Sequence, residues 1–213
     1  MRQFSAQASR AAPPDRSAPA HSASGDVHTS ASARTRASRP ADRWEVYKWV
    51  GKCLSEWEHV EAALSRLYDV LLDKRSPSTA HRRYGEPRLF EDRTALVERA
   101  ADRHFVTHPD EPLRIALLEL LSRLRQASRQ RDEIAHGLVI RMPSASAART
   151  GRDDPDYALT SRLGLWRAEA DDAPPKHAYA PVDLQRVALV FFSLALDVAR
   201  HRRRIVRSMR PTP

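Results

Sequence analysis

Between Asp42 and Leu72 the large apolar side chains fall at Val46, Trp49, Val50, Cys53, Trp57, Val60, Leu64, Leu67, Tyr68 and Leu71. The steps are mostly three or four residues, which gathers them on one stripe of a helix and predicts a first helix over 42–72. The next stretch, Asp73 to Pro87, is polar and punctuated by Pro77, Gly85 and Pro87, so it reads as a loop. A second, looser apolar face (Leu89, Phe90, Ala95, Leu96, Val97, Ala100, Phe105) predicts a helix over Arg88–Phe105. A third helix is expected from about Pro112 to His136. Asp110 is placed to cap it and Pro112 is tolerated in its first turn. Its stripe is Leu113, Leu117, Leu121, Leu124, Ser128, Arg131 and Ala135, and Gly137 stands where helices commonly end in a left-handed residue. Leu138–Met142, Ala158–Trp166 and His177–Ala180 read as short extended segments forming a small β-hairpin. A last helix over Val182–Arg207 buries Leu184, Val187, Phe191, Leu194, Val198 and Ile205.

Helices that each carry one greasy stripe satisfy it by packing on one another. The expected architecture is mainly α: an up-and-down four-helix bundle spanning 42–208, with a loop or β-hairpin insertion over 143–180 before the last helix. A short tail over 209–213 follows. Residues 1–41 are rich in Ala, Ser, Pro and Arg, with few large apolar side chains. They cannot bury enough surface to offset the entropy of ordering, so a disordered tail is expected. This segment has no apolar core of the kind a secretory signal needs, and Pro13, Pro14, Pro19 and Pro40 interrupt any amphipathic transit helix.

Composition narrows the classes. No apolar run reaches the length of a membrane span. Cys53 is the single cysteine, so neither an internal disulfide nor a multi-cysteine zinc site is available, and a reduced thiol fits a cytoplasmic setting. Six glycines include no phosphate-binding loop, nucleophile elbow or dinucleotide fingerprint. The formal charge of +9 favours polyanionic partners. Much of it lies at the ends, in Arg2, Arg10, Arg16, Arg34, Arg36 and Arg39, and in Arg202, Arg203, Arg204, Arg207 and Arg210, where a solvated basic surface explains it equally well. His104 and His108 have the i, i+4 spacing of a zinc-binding pair, but His108-Pro109 breaks the helix that the spacing requires.

One position in the third helix is wrong for a core. Arg131 takes a slot that earlier turns give to leucine or serine, and a guanidinium there must pair with an acid or open onto a cleft or partner. Five residues on, His136 stands at the helix end, where an imidazole is placed for acid–base work. A five-residue step turns a side chain by about 140°. The two therefore converge only if the last turn distorts or a second copy supplies half of the site. Asp132 and His136, four apart, share a face, so Asp132 can orient the imidazole.

The string Arg131-Asp132-Glu133-Ile134-Ala135-His136, followed by Gly137, resembles the signature of HEPN domains: an arginine, a polar residue, three further residues and a histidine. The first helix adds to the resemblance through Trp57 followed four residues later by Glu61, and the motif falls late in the third of four helices. The likeness covers roughly 42–208. It implies a metal-independent, cofactor-free endoribonuclease, usually homodimeric. His136 would act as base or acid on the 2′-hydroxyl or the leaving oxygen, Arg131 would hold the scissile phosphate, and Asp132 would assist. Products would carry a 2′,3′-cyclic phosphate and a 5′-hydroxyl. A toxin–antitoxin pair, with an antitoxin partner, or phage defence is the setting the family implies. Glu61 flanks the buried stripe and is a candidate supporting partner for an arginine. Arg82 and Arg83, beside Tyr84, are candidate RNA contacts, together with Arg129 and Arg141. The alternative is a non-catalytic HEPN-like binding or assembly module, with Arg131 in an internal ion pair or a dimer interface and His136 ending the helix.

Overall fold

The computed structural model describes residues 42–72, 77–142, 156–162, 164 and 177–209. The expected tail over 1–41, the centre of the insertion and residues 210–213 lie outside that set. Among the described residues the chain is mainly helical: α1 (Arg43–Leu71), α2 (Pro77–Gly85), α3 (Phe90–Thr107), α4 (Glu111–Ala135) and α5 (Pro181–Ser208), with β1 (Gly137–Met142), β2 (Asp156–Ser161) and β3 (Ala178–Tyr179) between the last two helices.

Local signals account for the ends. The Asp42 carboxylate accepts from the Trp44 amide at 3.3 Å, and the Asp110 carboxylate accepts from the Leu113 amide at 3.0 Å, each satisfying a donor that the first helical turn leaves free. In α5, Pro181 occupies the first turn, and the Asp183 carboxylate accepts from the Ala180 amide at 3.1 Å.

The expected loop over Asp73–Pro87 is corrected by α2. Among the helix residues whose burial is described, Ala80 and Tyr84 are the buried apolar ones, one turn apart, which is too sparse for a periodic signal. Long-range contacts hold it instead. Tyr84 packs against Tyr68 and donates to Glu61 Oε2 at 2.7 Å, and His81 Nδ1 meets Ser65 Oγ at 2.5 Å. This helix also sets the path of the chain. Trp57 meets Phe90, Glu61 meets Arg93, and Leu71 lies near His104, so α1 and α3 run in the same direction, with α2 as the return. Cys53 Sγ donates to the Leu184 carbonyl and Trp57 meets Phe191, so α5 is parallel to α1, its most extensive partner. Arg125–Glu98 and Arg114–Asp102 place α4 antiparallel to α3, and so to α5, which Arg123–Asp197 ties to it.

The core is built mostly from the predicted stripes, but Leu89, expected on the apolar face of α3, is exposed at its N-cap. Trp57 stands at the centre of the core, edge-on to Phe90 and Phe191 with ring centroids 4.9 and 5.1 Å away. Burial pushes the Cys53 thiol up to about 11, so it is an inert core group. Polar residues that the apolar pattern did not single out are also buried, among them Glu56, Thr94, His104, Thr160 and His201.

The expected hairpin is a three-stranded antiparallel sheet in the order β1-β2-β3. Gly137 pairs with Ser161, Val139 with Leu159, and Leu159 with Tyr179. β2 ends at Ser161, and Leu163, Leu165 and Trp166 of the expected segment lie outside the described residues. Val139, Tyr157 and Tyr179 pack against the core, and Leu159 belongs to it, so the sheet is fastened to the end of the bundle where α4 terminates. No helix of the described residues is long and apolar enough to cross a membrane.

Candidate functional site

The last turns of α4 leave the bundle, and that departure creates the site. Ser128 is buried and Ile134 takes the final core position. Ala135, expected on the buried stripe, is exposed, because the chain turns there into β1. His136 closes the helix with φ −105° and ψ 8°, its amide donating to the Asp132 carbonyl at 3.0 Å. Its imidazole is exposed beside a shallow depression of about 340 Å³ lined by Ala135, His136, Gly137 and Arg162.

Gly137 is not the left-handed terminator that the sequence pattern led us to expect; it opens β1. The reason for a glycine is space. A Cβ there would stand 2.8 Å from both Cγ and Cδ1 of Leu159 and 3.0 Å from the Glu133 carbonyl oxygen. The absent side chain lets β2 close against the end of α4 and fixes His136 at the edge of the sheet.

Arg131 lies where the buried stripe surfaces, with its side chain 34% exposed. Its Nη1 donates to Asp132 Oδ1 at 2.8 Å, while its Nε is buried and has no hydrogen-bond partner among the described residues. Asp132 is therefore engaged with Arg131 and also stands one turn before His136 on the same helical face. Glu133 anchors the sheet: Tyr179 Oη donates to its Oε2 at 2.7 Å. Burial, then this bond to a carboxylate, pushes the Tyr179 phenol well above its ordinary range, so it remains a donor.

The remaining candidates separate. Arg129 is exposed on α4, seven residues before His136 and so on its face. Arg141 is exposed near the end of β1, paired in register with Tyr157. Arg82 and Arg83 are exposed on α2, and Arg83 borders a second depression of about 300 Å³ with Leu71, Arg103, His104 and His108, near where α4 begins. The 25 residues of α4 separate that end from His136 by about 37 Å. Within one chain, Arg82 and Arg83 do not join the Arg131–His136 site.

Glu61 does not support Arg131. It accepts from Arg93 Nη1 at 2.8 Å and from Tyr84 Oη at 2.7 Å, clamping α1, α2 and α3. Burial and the neighbouring Glu61 carboxylate push the Tyr84 phenol far up. His104 and His108 stack on each other with centroids 4.7 Å apart, and among the described residues no group of three or more His, Cys, Asp or Glu side chains is gathered for a metal ion.

Three participants escaped the sequence reading: Arg162, Glu133 and Tyr179. The signal for Arg162 is strand register. Gly137 opposes Ser161, so the residue after Ser161 comes level with the residue before Gly137, which is His136. Register cannot be read from alternation alone when the intervening segment is long. No protein family, curated protein or solved structure matches the chain.

Proposed function

We propose that the protein is a cytoplasmic, metal-independent endoribonuclease that cleaves RNA through attack of a 2′-hydroxyl, with His136 and Arg131 as its catalytic residues. The observation that carries this reading is the state of Arg131. A guanidinium at the edge of the core holds one neighbouring carboxylate and keeps a buried Nε without an acceptor among the described residues, five residues before an exposed histidine at the helix end. A buried donor left unpaired costs roughly 1–3 kcal/mol. The pair with Asp132 is cheap to exchange, because that carboxylate is 58% exposed and such pairs contribute about 0–1 kcal/mol. A phosphate can accept from both Nε and Nη2, which share one edge of the guanidinium, the two-point geometry in which these groups bind phosphates best.

In the reaction, the 2′-oxygen attacks phosphorus, the P–O5′ bond breaks, and the ends become a 2′,3′-cyclic phosphate and a 5′-hydroxyl. His136 takes the 2′ proton or protonates the leaving 5′-oxygen, and Arg131 stabilises the charge that builds on the phosphoryl oxygens. Asp132 orients His136 when Arg131 turns to the phosphate. Arg162, across from His136, and Arg129, on its face, add positive charge along the path of the RNA. A second copy of the chain fits the exposed apolar face of α5, where Leu189, Phe192 and Leu196 recur at helical spacing, with Leu189 62% exposed. The toxin or defence setting, with an antitoxin partner, belongs to the same proposal.

The test is incubation of the purified protein with mixed RNA, with and without EDTA. Cleavage that resists the chelator and disappears in both Arg131→Ala and His136→Ala supports the reading; cleavage that persists in both variants removes the assignment. The Arg131–Asp132 pair itself favours a second reading, a non-catalytic dimeric assembly module in which Arg131 is held within its own subunit. A folded dimer that never cleaves RNA would establish that alternative.

A further inference from the structure

We propose that the N-terminal turns of α1 form a stacking platform for single-stranded RNA. The choice of RNA rests on the reading above; the platform itself rests on separate residues. Trp44 is 65% exposed and Tyr47 50% exposed, on a helix whose other aromatic residues are half-buried or buried. Trp44, Tyr47, Lys48 and Gly51 stand at i, i+3, i+4 and i+7, so they share one face. The two rings are not stacked together: their centroids are 5.9 Å apart and their planes are inclined by 56°.

Charge is interleaved with the rings. The Arg43 guanidinium lies 5.2 Å over the Trp44 ring and the Lys48 ammonium 5.6 Å over the Trp49 ring. Among the acidic neighbours, the Asp42 carboxylate caps the helix, Glu56 pairs with Lys52 at 2.5 Å, and Glu45 is exposed on the adjacent side. An apolar partner would leave the cations of this face unused, whereas a single strand offers them phosphates and offers the rings unpaired bases.

Gly51 is the independent observation. A glycine inside a helix is destabilising relative to alanine. Among the described residues no packing requires it here, since a Cβ at Gly51 would have nothing within 4 Å. Its effect is to keep the face beside Tyr47 and Lys48 bare, so that a base or ribose can approach the helix backbone.

The experiment uses the full chain carrying His136→Ala, so that binding is measured without turnover. A labelled oligouridine is titrated and followed by anisotropy and by tryptophan emission. Quenching of emission, and binding weakened about tenfold or more by Trp44→Ala with Tyr47→Ala, is the expected result. Trp44→Phe should retain most of the affinity. Gly51→Leu, which covers the face at an exposed helical position, should weaken binding, while Gly51→Ala should not. Thermal melts confirm that these surface variants are folded. The proposal is overturned if the double variant or Gly51→Leu binds the oligomer like the parent, if duplex RNA binds equally well with equal indifference to Trp44, or if the double variant changes only the oligomeric state. A wild-type chain that never cleaves RNA, beside a His136→Ala chain that stacks the oligomer as expected, would refute the nuclease reading and leave the platform standing.

Discussion

Replacing Gly137 by alanine puts a methyl group where the structure has no room for one. The new Cβ would stand 2.8 Å from Leu159 Cγ and Cδ1 and 3.0 Å from the Glu133 carbonyl oxygen. Neither neighbour yields freely. Leu159 is buried in β2, pairing with Val139 on one side and Tyr179 on the other, and the carbonyl belongs to the last turn of α4. Overpacking of this kind costs about 1–3 kcal/mol, which for a domain of this size lowers Tm by about 2–12 °C. The clash lies chiefly with atoms that alanine lacks, so Leu159→Ala should relieve it. Although Leu159→Ala alone costs about 2–5 kcal/mol, adding Gly137→Ala to it should cost much less than in the parent, a coupling of about 0.5–3 kcal/mol. Urea unfolding of the four proteins measures the cycle. Because the same contact fixes His136, Gly137→Ala should also reduce RNA cleavage under conditions where the protein remains folded. An unchanged stability for Gly137→Ala, or strictly additive losses in the double variant, would refute the close-approach explanation of this glycine.

Burial, assisted by Arg204 and opposed by Asp110, holds the His201 imidazole down at about 4 against an ordinary 6.5. Above pH 6.5 it is neutral in both folded and unfolded chains; as pH falls toward 4 only the unfolded chain takes up the proton, so stability should drop by up to about 3 kcal/mol and then level off. Urea midpoints across that range should show this slope, and His201→Gln should flatten it. Glu61→Ala strips the acceptor from Tyr84 and Arg93 and should destabilise the fold by about 2–4 kcal/mol, read by thermal melting, without altering kcat for RNA, because it touches no part of the Arg131–His136 site. On α5, Leu189→Glu with Phe192→Glu should convert a dimer to monomer in sedimentation, and a wild-type protein that is already monomeric would contradict the use of that face.

The helices whose apolar residues recur without interruption were legible as sequence. The stripes of α1 and α5 bury at nearly every expected position, because period and length together leave few other ways to remove them from water. Isolated anchors were not legible. Tyr84 and Ala80 hold α2 through Glu61 and Tyr68, partners far away in sequence that no local window contains. The same limit misassigned Glu61: its position beside the stripe pointed to an arginine, but only the packing of α3 on α1 selects Arg93. The string from Arg131 to His136 falls at the helix end, which the structure places at Ala135 with His136 as its cap. Its surroundings depend on strand register, which brings Arg162 level with His136 and Leu159 against Gly137. Register is fixed by tertiary closure and leaves no local trace.

The most direct measurement uses an oligodeoxynucleotide containing a single ribonucleotide, incubated with the purified protein in EDTA, with the product ends identified by mass. The Arg131–His136 account predicts one cut, on the 3′ side of the ribose, leaving a 2′,3′-cyclic phosphate and a 5′-hydroxyl, and no cut with either alanine variant. Ends bearing a 3′-hydroxyl and a 5′-phosphate, or an oligomer left whole by a folded protein that cuts no other RNA, would contradict it.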